Sequence, residues 1–361
     1  MRFPRFSDPW KKFALGDIGT SLIGLTYSPN DVVQENGIIV LRSSNIQEGA
    51  LDFNDVVRVS KKIRPSLFTQ EEDILICSRN GSARLIGKNA IIPKSYSGLT
   101  FGAFMMVYRS NQNRFIHHLL NTKRYQTQVS ENLGARINQI TSSDLNSFEF
   151  FFPCEKEQNK IAKFIDLIDE RIATQRRLIE KLETLIKGIT EFLMNNTPNT
   201  TIADCLVCHS STFQENQVGL SGNYRVYGAS GFCGYTDMPE VLDDSILIVK
   251  DGSGVGTVTY ASGEYSVIGT LNYLTAKNGY LLRYLYYCLM CFNFTPYKTG
   301  MAIPHIYFKD YGKAKIYCPA IEEQRKIAAA LSNIENKIEI ERTILQQYAM
   351  QKQHLLQQMF I

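Results

Sequence analysis

The feature that most constrains this chain is an internal duplication at a fixed offset of 166 residues. Pro153-Cys-Glu-Lys-Glu-Gln-Asn-Lys-Ile-Ala is echoed by Pro319-Ala-Ile-Glu-Glu-Gln-Arg-Lys-Ile-Ala. The register holds without a gap on both sides. Upstream, Leu119, Gly134, Ile137, Ile140 and Asp144 meet Leu285, Gly300, Ile303, Ile306 and Asp310; downstream, Ile168, Ile172 and Arg176 meet Ile334, Ile338 and Arg342. A repeat of this length means two copies of one supersecondary unit, so a pseudo-symmetric molecule is expected.

Each copy carries a heptad stripe. Ile161, Ile165, Ile168, Ile172, Gln175, Ile179, Leu182, Ile186, Ile189 and Leu193 alternate steps of four and three. The second copy gives Ile327, Leu331, Ile334, Ile338, Glu341, Leu345, Tyr348, Lys352, Leu355 and Met359. A mean spacing of 3.5 residues over about five heptads is a coiled-coil pattern. Gln175 and Glu341 place one polar residue at the same seam position in both, as a register-fixing residue or a tolerated edge. Each helix spans roughly 37 to 40 residues, about 55–60 Å, and symmetry favours an antiparallel pair.

The chain falls into four blocks: 1–150 mixed, 151–197 helical, 198–317 mixed and 318–361 helical. Strand-like runs include Gly37–Leu41 and Asp73–Cys77 in the first mixed block, and Ser245–Val249 and Gly256–Tyr260 in the second. Asn195-Asn-Thr-Pro198 separates the first helix from the second mixed block. The expected fold class is α+β, with two pseudo-symmetric mixed α/β domains separated by a long two-helix coiled coil.

At 361 residues, 44% hydrophobic and 20% charged, the composition is that of a globular protein of about two to three domains. There is no run of eighteen apolar residues, and no apolar core comes after Met1-Arg2-Phe3-Pro4-Arg5, so a cytoplasmic protein is expected. A net charge of +4 permits nucleic-acid binding through local patches without arguing for it.

Catalytic motifs fail on inspection. Gly81–Lys88 has five residues between its glycines where a phosphate loop has four, and Asn89 replaces the hydroxyl that would hold magnesium. Gly252-Ser-Gly254-Val-Gly256 is followed by a strand, where a dinucleotide site needs a helix N-terminus. No HExxH, GxSxG or Asn-Pro-Pro-aromatic string occurs, and His117-His118 lie in an apolar helical stretch. Cys205-Leu-Val-Cys208 and Cys288-Leu-Met-Cys291 are CxxC pairs, but 79 residues separate them and core thiols are the plainer reading.

Two mixed domains alternating with two near-identical helices, each opened by Pro-x-x-x-Glu-Gln-x-Lys-Ile-Ala, resemble the specificity subunit of type I restriction–modification systems. The resemblance covers the whole chain. It also rests on Leu15-Gly16-Asp17-Ile18, loosely echoed by Thr201-Ile202-Ala203-Asp204-Cys205. The turns Asn80-Gly81-Ser82 and Asp251-Gly252-Ser253 after like strands complete it. It implies a non-catalytic subunit that recognises a bipartite asymmetric site in double-stranded DNA, one half per mixed domain. The helices would act as a spacer and as docking surfaces for two methyltransferase subunits, with restriction (translocase–nuclease) subunits joining them. S-adenosylmethionine, ATP and magnesium would sit on those partners, with none bound by this chain.

Side chains on turns that donate, accept or carry positive charge are the candidates for reading bases and phosphates. In the first domain these are Arg42, Ser44 and Asn45 after a strand, Arg79, Asn80 and Arg84 at a glycine turn, and Arg136, Asn138 and Gln139. In the second they are Tyr227, Ser230, Lys250, Asp251, Ser253, Asn272, Lys298 and His305, with Arg79 and Lys250 put forward first because their turns match. Two rival readings remain: a coiled-coil scaffold with no DNA partner, and an enzyme with zinc on Cys205, Cys208, Cys288 and Cys291.

Overall fold

A computed structural model describes residues 2–133 and 138–360. The chain divides into two compact units. One comprises Met1–Thr174 with Leu345–Ile361, and the other Gln175–Ile344. Each unit therefore takes a mixed domain together with part of each of two long helices, Glu155–Met194 (40 residues) and Ile321–Met359 (39 residues).

The first domain is built on a four-stranded antiparallel sheet of β1 (Thr20–Ile23), β2 (Ile74–Cys77), β3 (Asn89–Ile91) and β4 (Met105–Arg109), in the order β1-β4-β2-β3. β2 is an unbroken apolar run with every residue buried, as a central strand covered on both faces should be. A second sheet contains Ile38–Leu41, which pairs in parallel with Thr100–Phe101. The chain enters on Lys11–Ala14 and leaves on Glu149–Phe152, and these two strands pair antiparallel.

The second domain repeats this plan. Its main sheet is β5 (Leu206–Ser210), β6 (Ser245–Val249), β7 (Val258–Ala261) and β8 (Leu271–Ala276), in the order β5-β8-β6-β7. A parallel pair recurs between Tyr224–Gly228 and Tyr265–Val267. Entry and exit strands pair again, Thr200–Thr201 with Lys315–Ile316. The loose echo at the domain starts is structural. Ala14 N–H donates to Asp17 Oδ2 (3.0 Å), and Thr201 N–H donates to Asp204 Oδ2 (3.2 Å) with its hydroxyl on the same oxygen (2.6 Å). Either aspartate fixes the first turn of a short helix.

Long helix and domain are joined differently in the two units. In the first, Ile161, Ile165, Ile168 and Ile172 enter the domain core beside Phe150 and Phe152, and His118 Nε2 meets Asp166 Oδ1 at 2.7 Å. The last turns of the second long helix run antiparallel to the first here: Phe360 packs on Phe115 (ring centroids 5.2 Å), and Lys352 pairs with Asp169 (2.6 Å). In the second unit, Arg283 Nε donates to Ser332 Oγ (3.2 Å) and its guanidinium pairs with Glu335, which also accepts from Tyr287 Oη (2.9 Å). Asp166 and Asp169 stand at the repeat positions of Ser332 and Glu335, so one clamp is built from two chemistries.

The polar seam residues meet each other. Gln175 Nε2 donates to the Glu341 carbonyl oxygen (3.1 Å) and to its carboxylate. Lys337, one turn earlier, pairs with the same carboxylate; Lys337 first and Gln175 second hold it below the usual range. Buried isoleucines at Ile179 and Ile186, with Leu331 and Ile338 on the other helix, flank the contact.

His117 gives this fold a pH dependence. Burial pushes its imidazole down to about 3, with His118 and Lys352 adding to the effect, and its Nδ1 lies 3.0 Å from Asn89 Oδ1. Above its unfolded value near 6.5 the ring is neutral in both states and costs nothing. Between about 6.5 and 3 only the unfolded chain takes up the proton, so stability falls by about 1.4 kcal/mol per pH unit from this group. Chemical denaturation at pH 7.5 and 5.0 should show that loss, and His117→Gln should reduce it; an equal loss in both proteins would refute the assignment.

Candidate nucleic-acid interface

In the first domain, three sequence-distant polar segments come together where β2 ends. Asn80 Nδ2 donates to Ser43 Oγ (3.1 Å), which brings the Arg42–Asn45 loop to the turn. Asn80 N–H donates to the Asn138 carbonyl (3.2 Å), while Asn138 Nδ2 donates to the Gly81 carbonyl (3.0 Å). Arg79 and Gln139 form an isolated antiparallel bridge. Arg79, Asn80, Asn138 and Gln139 thus lie on one patch, with Arg42 and Ser44 adjoining through Ser43. Arg84 is exposed in the next turn (Ala83–Leu85). Arg136 lies outside the described residues.

Sequence reasoning missed Phe104, whose ring is 57% exposed. The Arg79 guanidinium lies 4.9 Å from the ring centroid, while Ser78 and Arg79 both donate backbone N–H to the Phe104 carbonyl (3.0 Å each). This packs a cation on an exposed aromatic face at the centre of the patch. Its signal was weak, a lone Phe before β4 that reads as core.

Two candidates prove to be supports. Asn45 is fully buried: its Nδ2 donates to the carbonyls of Asp52 (2.9 Å) and Asp55 (2.8 Å), and its Oδ1 accepts from Arg42 N–H (2.9 Å). Its amide is consumed in shaping the loop. Asn272, also buried, accepts from Ser210 Oγ (2.9 Å) and holds β8 to β5. Arg42 is partly committed as well, through its ion pair with Asp55 (2.7 Å).

The second domain assembles a matching patch with different side chains. Gly252 N–H donates to the Pro304 carbonyl (2.9 Å), Ile306 N–H donates to the Lys250 carbonyl (3.0 Å), and Asp251 forms an isolated antiparallel bridge with His305. These bonds reproduce those of Asn80 to Asn138, of Ile140 to Ser78, and of Arg79 with Gln139. The pairing of turns is thereby corrected: Lys250 is the counterpart of Ser78, and Asp251 that of Arg79. The two leading candidates are not equivalent, because the match of the Asn-Gly-Ser and Asp-Gly-Ser strings is one residue out of step with the backbone ladder.

Lys298 and Ser253 are exposed beside this turn. Ser230 is exposed in a loop whose Ala229 carbonyl lies 3.8 Å from the Cβ position of Gly254, and Tyr227 leans edge-on against Tyr265 (5.5 Å). Missed here are Tyr307, packed edge-on with His305 (5.0 Å), and Arg225, over the exposed Phe232 ring (5.9 Å). Cys205 and Cys291 both lie near enough to Cys288 to bear on its thiol. Cys205 and Cys288 are buried, and burial pushes the Cys288 thiol up to about 12 and that of Cys208 up to about 11. No group of three or more His, Cys, Asp or Glu among the described residues is placed to hold a metal ion, and no described helix is long and apolar enough to cross a membrane.

Comparison with known proteins gives these patches a family context. The family model described as "Type I restriction modification DNA specificity domain" matches residues 7–184 and 207–348. The chain is 24% identical over 210 residues to the type I restriction enzyme StySPI specificity subunit of Salmonella potsdam (56% of this chain, 45% of that protein). It is 25% identical over 203 residues to the EcoKI specificity subunit of Escherichia coli strain K12 (54% and 44%). It thus spans less than half the length of these two relatives. A putative MjaX specificity subunit of Methanocaldococcus jannaschii is 24% identical over 336 residues (79% and 76%).

Two solved structures share the fold. The type I restriction–modification S subunit of M. genitalium aligns with a TM-score of 0.66 at 16% identity, covering 99% of this chain and 97% of that one. A chain from a structure of type I R-M complex assembly and conformational transition aligns at 0.55 and 16%, covering 98% of both. With the family model matched in both halves, the chain belongs to the type I restriction–modification DNA specificity family.

Proposed function

We propose that this chain is a sequence-specificity subunit that reads a bipartite, asymmetric site in double-stranded DNA. The first domain reads one half through the Arg79–Phe104 patch and the second reads the other through the Asp251–His305 patch. The observation that carries this reading is the gathering of donors, acceptors and cations from sequence-distant segments onto one edge of each main sheet, three segments in the first domain and two in the second. The turns are built by the same backbone bonds but present different side chains. Such a design suits two readers with different targets, whereas a homodimer would favour a palindrome.

Under this reading the long helices serve as a spacer and as docking surfaces for two methyltransferase subunits, with translocase–nuclease subunits completing the assembly. Those partners supply S-adenosylmethionine, ATP and magnesium. This chain supplies the address, through base contacts for sequence and Lys or Arg contacts for phosphate.

Three outcomes test it. Exchanging residues 1–150 for another first domain should change one half of the methylated motif mapped in the host genome; a change in both halves, or in neither, would defeat it. Removing one heptad from Glu155–Met194, about 10 Å, should alter the gap between half-sites or abolish recognition, and an unaltered gap would rule out the spacer role. Arg79→Ala and Phe104→Ala should weaken duplex binding by about tenfold or more while leaving the melting temperature in place. Asn45→Ala should cost folding on the order of 1–3 kcal/mol. Reversed roles in binding and melting assays would show the patch to be misassigned.

A further inference from the structure

The hairpin between Thr299 and His305 carries the most exposed apolar tip of the second domain's patch. Thr299 N–H donates to the His305 carbonyl (2.9 Å) and His305 N–H donates back (2.8 Å). The turn depends on Gly300 at φ +88°, where a Cβ would stand 2.3 Å from the Ile303 carbonyl oxygen. A further bond, Gly252 N–H to the Pro304 carbonyl (2.9 Å), pins the tip to the β6 turn. The tip is therefore preformed, yet its two large side chains face water: Met301 is 106% exposed and Ile303 66%.

We infer that Gly300–Pro304 is a wedge that inserts Met301, with Ile303 beside it, between adjacent base pairs of duplex DNA. The inference deepens the DNA-reading role and rests on it. Two apolar side chains on a pinned turn make a small patch, with Asp251 and His305 bridged at its base and Lys250, Ser253 and Lys298 next to them or to Thr299 along the chain. A protein partner would call for a broader apolar area. A base step needs only a narrow apolar probe with cations beside it for the flanking phosphates, and methionine, isoleucine and proline are side chains that open such steps. Opening a step also reads sequence indirectly, because pyrimidine–purine steps unstack at least cost.

The Met301 member of the pair belongs to one half only. The repeat offset puts Ala135 opposite Met301 and Arg136 opposite Ala302, while Ile137 stands opposite Ile303. A methyl group is too short to part a base step, and an arginine suits a phosphate or a guanine edge. The wedge therefore distinguishes the second half-site from the first by mechanism as well as by sequence.

The test uses the full-length chain with its partner subunits and duplex oligonucleotides carrying the mapped methylation motif. 2-Aminopurine, which brightens when unstacked, is placed at successive positions through both halves. Wild-type protein should brighten one step, in one half only. The double variant Met301→Ser/Ile303→Ser should lose that signal and bind about tenfold or more weakly. It should keep the wild-type salt dependence, since no phosphate contact is removed, and the wild-type melting temperature. Fluorescence that stays dark at every position in the bound wild-type complex would overturn the wedge. So would a double variant that keeps both signal and affinity, or one that loses partner subunits instead of DNA. In all three cases salt-dependent binding by wild-type protein leaves the broader reading standing, and its absence removes both.

Discussion

Pairing of the first strand of each domain with its last is the constraint on which the remaining architecture depends. Lys11–Ala14 lies against Glu149–Phe152, and Thr200–Thr201 against Lys315–Ile316. Further bonds tighten each closure: Leu15 N–H to the Phe148 carbonyl (3.0 Å), and Ile202 N–H to the Ala314 carbonyl (3.0 Å). The exit strand then passes into a long helix whose first turn is tied back by a glutamine. Gln158 Nε2 donates to the Pro153 carbonyl (2.9 Å) and Gln324 Nε2 to the Pro319 carbonyl (2.8 Å). Because each domain opens and closes at one place, the loops between can differ freely while the helix still starts from a fixed point. The two domains use that freedom, since their strand orders agree and their patch residues do not.

The closure also explains why the candidate residues converge. Within each main sheet the turn after the second strand must meet the segment that returns toward the exit strand, as the bonds of Ile140 N–H to the Ser78 carbonyl (2.9 Å) and Ile306 N–H to the Lys250 carbonyl (3.0 Å) show. Segments far apart in sequence become neighbours through backbone bonds alone. Asn80 and Asn138 still hold the turn through their amides, but the ladder itself does not dictate which side chains stand on it, and those differ between the two domains.

Much of the fold was legible in the sequence for the same reason. The 166-residue offset paired Gln139 with His305 and Ile140 with Ile306, and the backbone bridges agree, because a repeated segment keeps its hydrogen-bonding partners. The heptad stripe marked the helices, since an apolar seam every 3.5 residues has little other use. What failed was local. The resemblance of Asn80-Gly81-Ser82 to Asp251-Gly252-Ser253 misplaced Lys250 by one residue, because turn strings match by composition while the ladder fixes register. Asn45 and Asn272 looked available because polarity does not disclose burial. Phe104 and Met301 were not singled out because an apolar residue does not disclose exposure.

The meeting of Gln175 with Glu341 has a consequence for how the helix pair can err. A seam of isoleucine and leucine alone is nearly indifferent to sliding by a heptad, as each knob finds a similar hole. The Glu341 carboxylate takes Gln175 as its partner from the opposite helix, so a slipped alignment breaks that hydrogen bond and leaves the carboxylate with Lys337 of its own helix alone. The seam therefore has one zero mark, like the index line on a vernier, set against slips of a whole heptad.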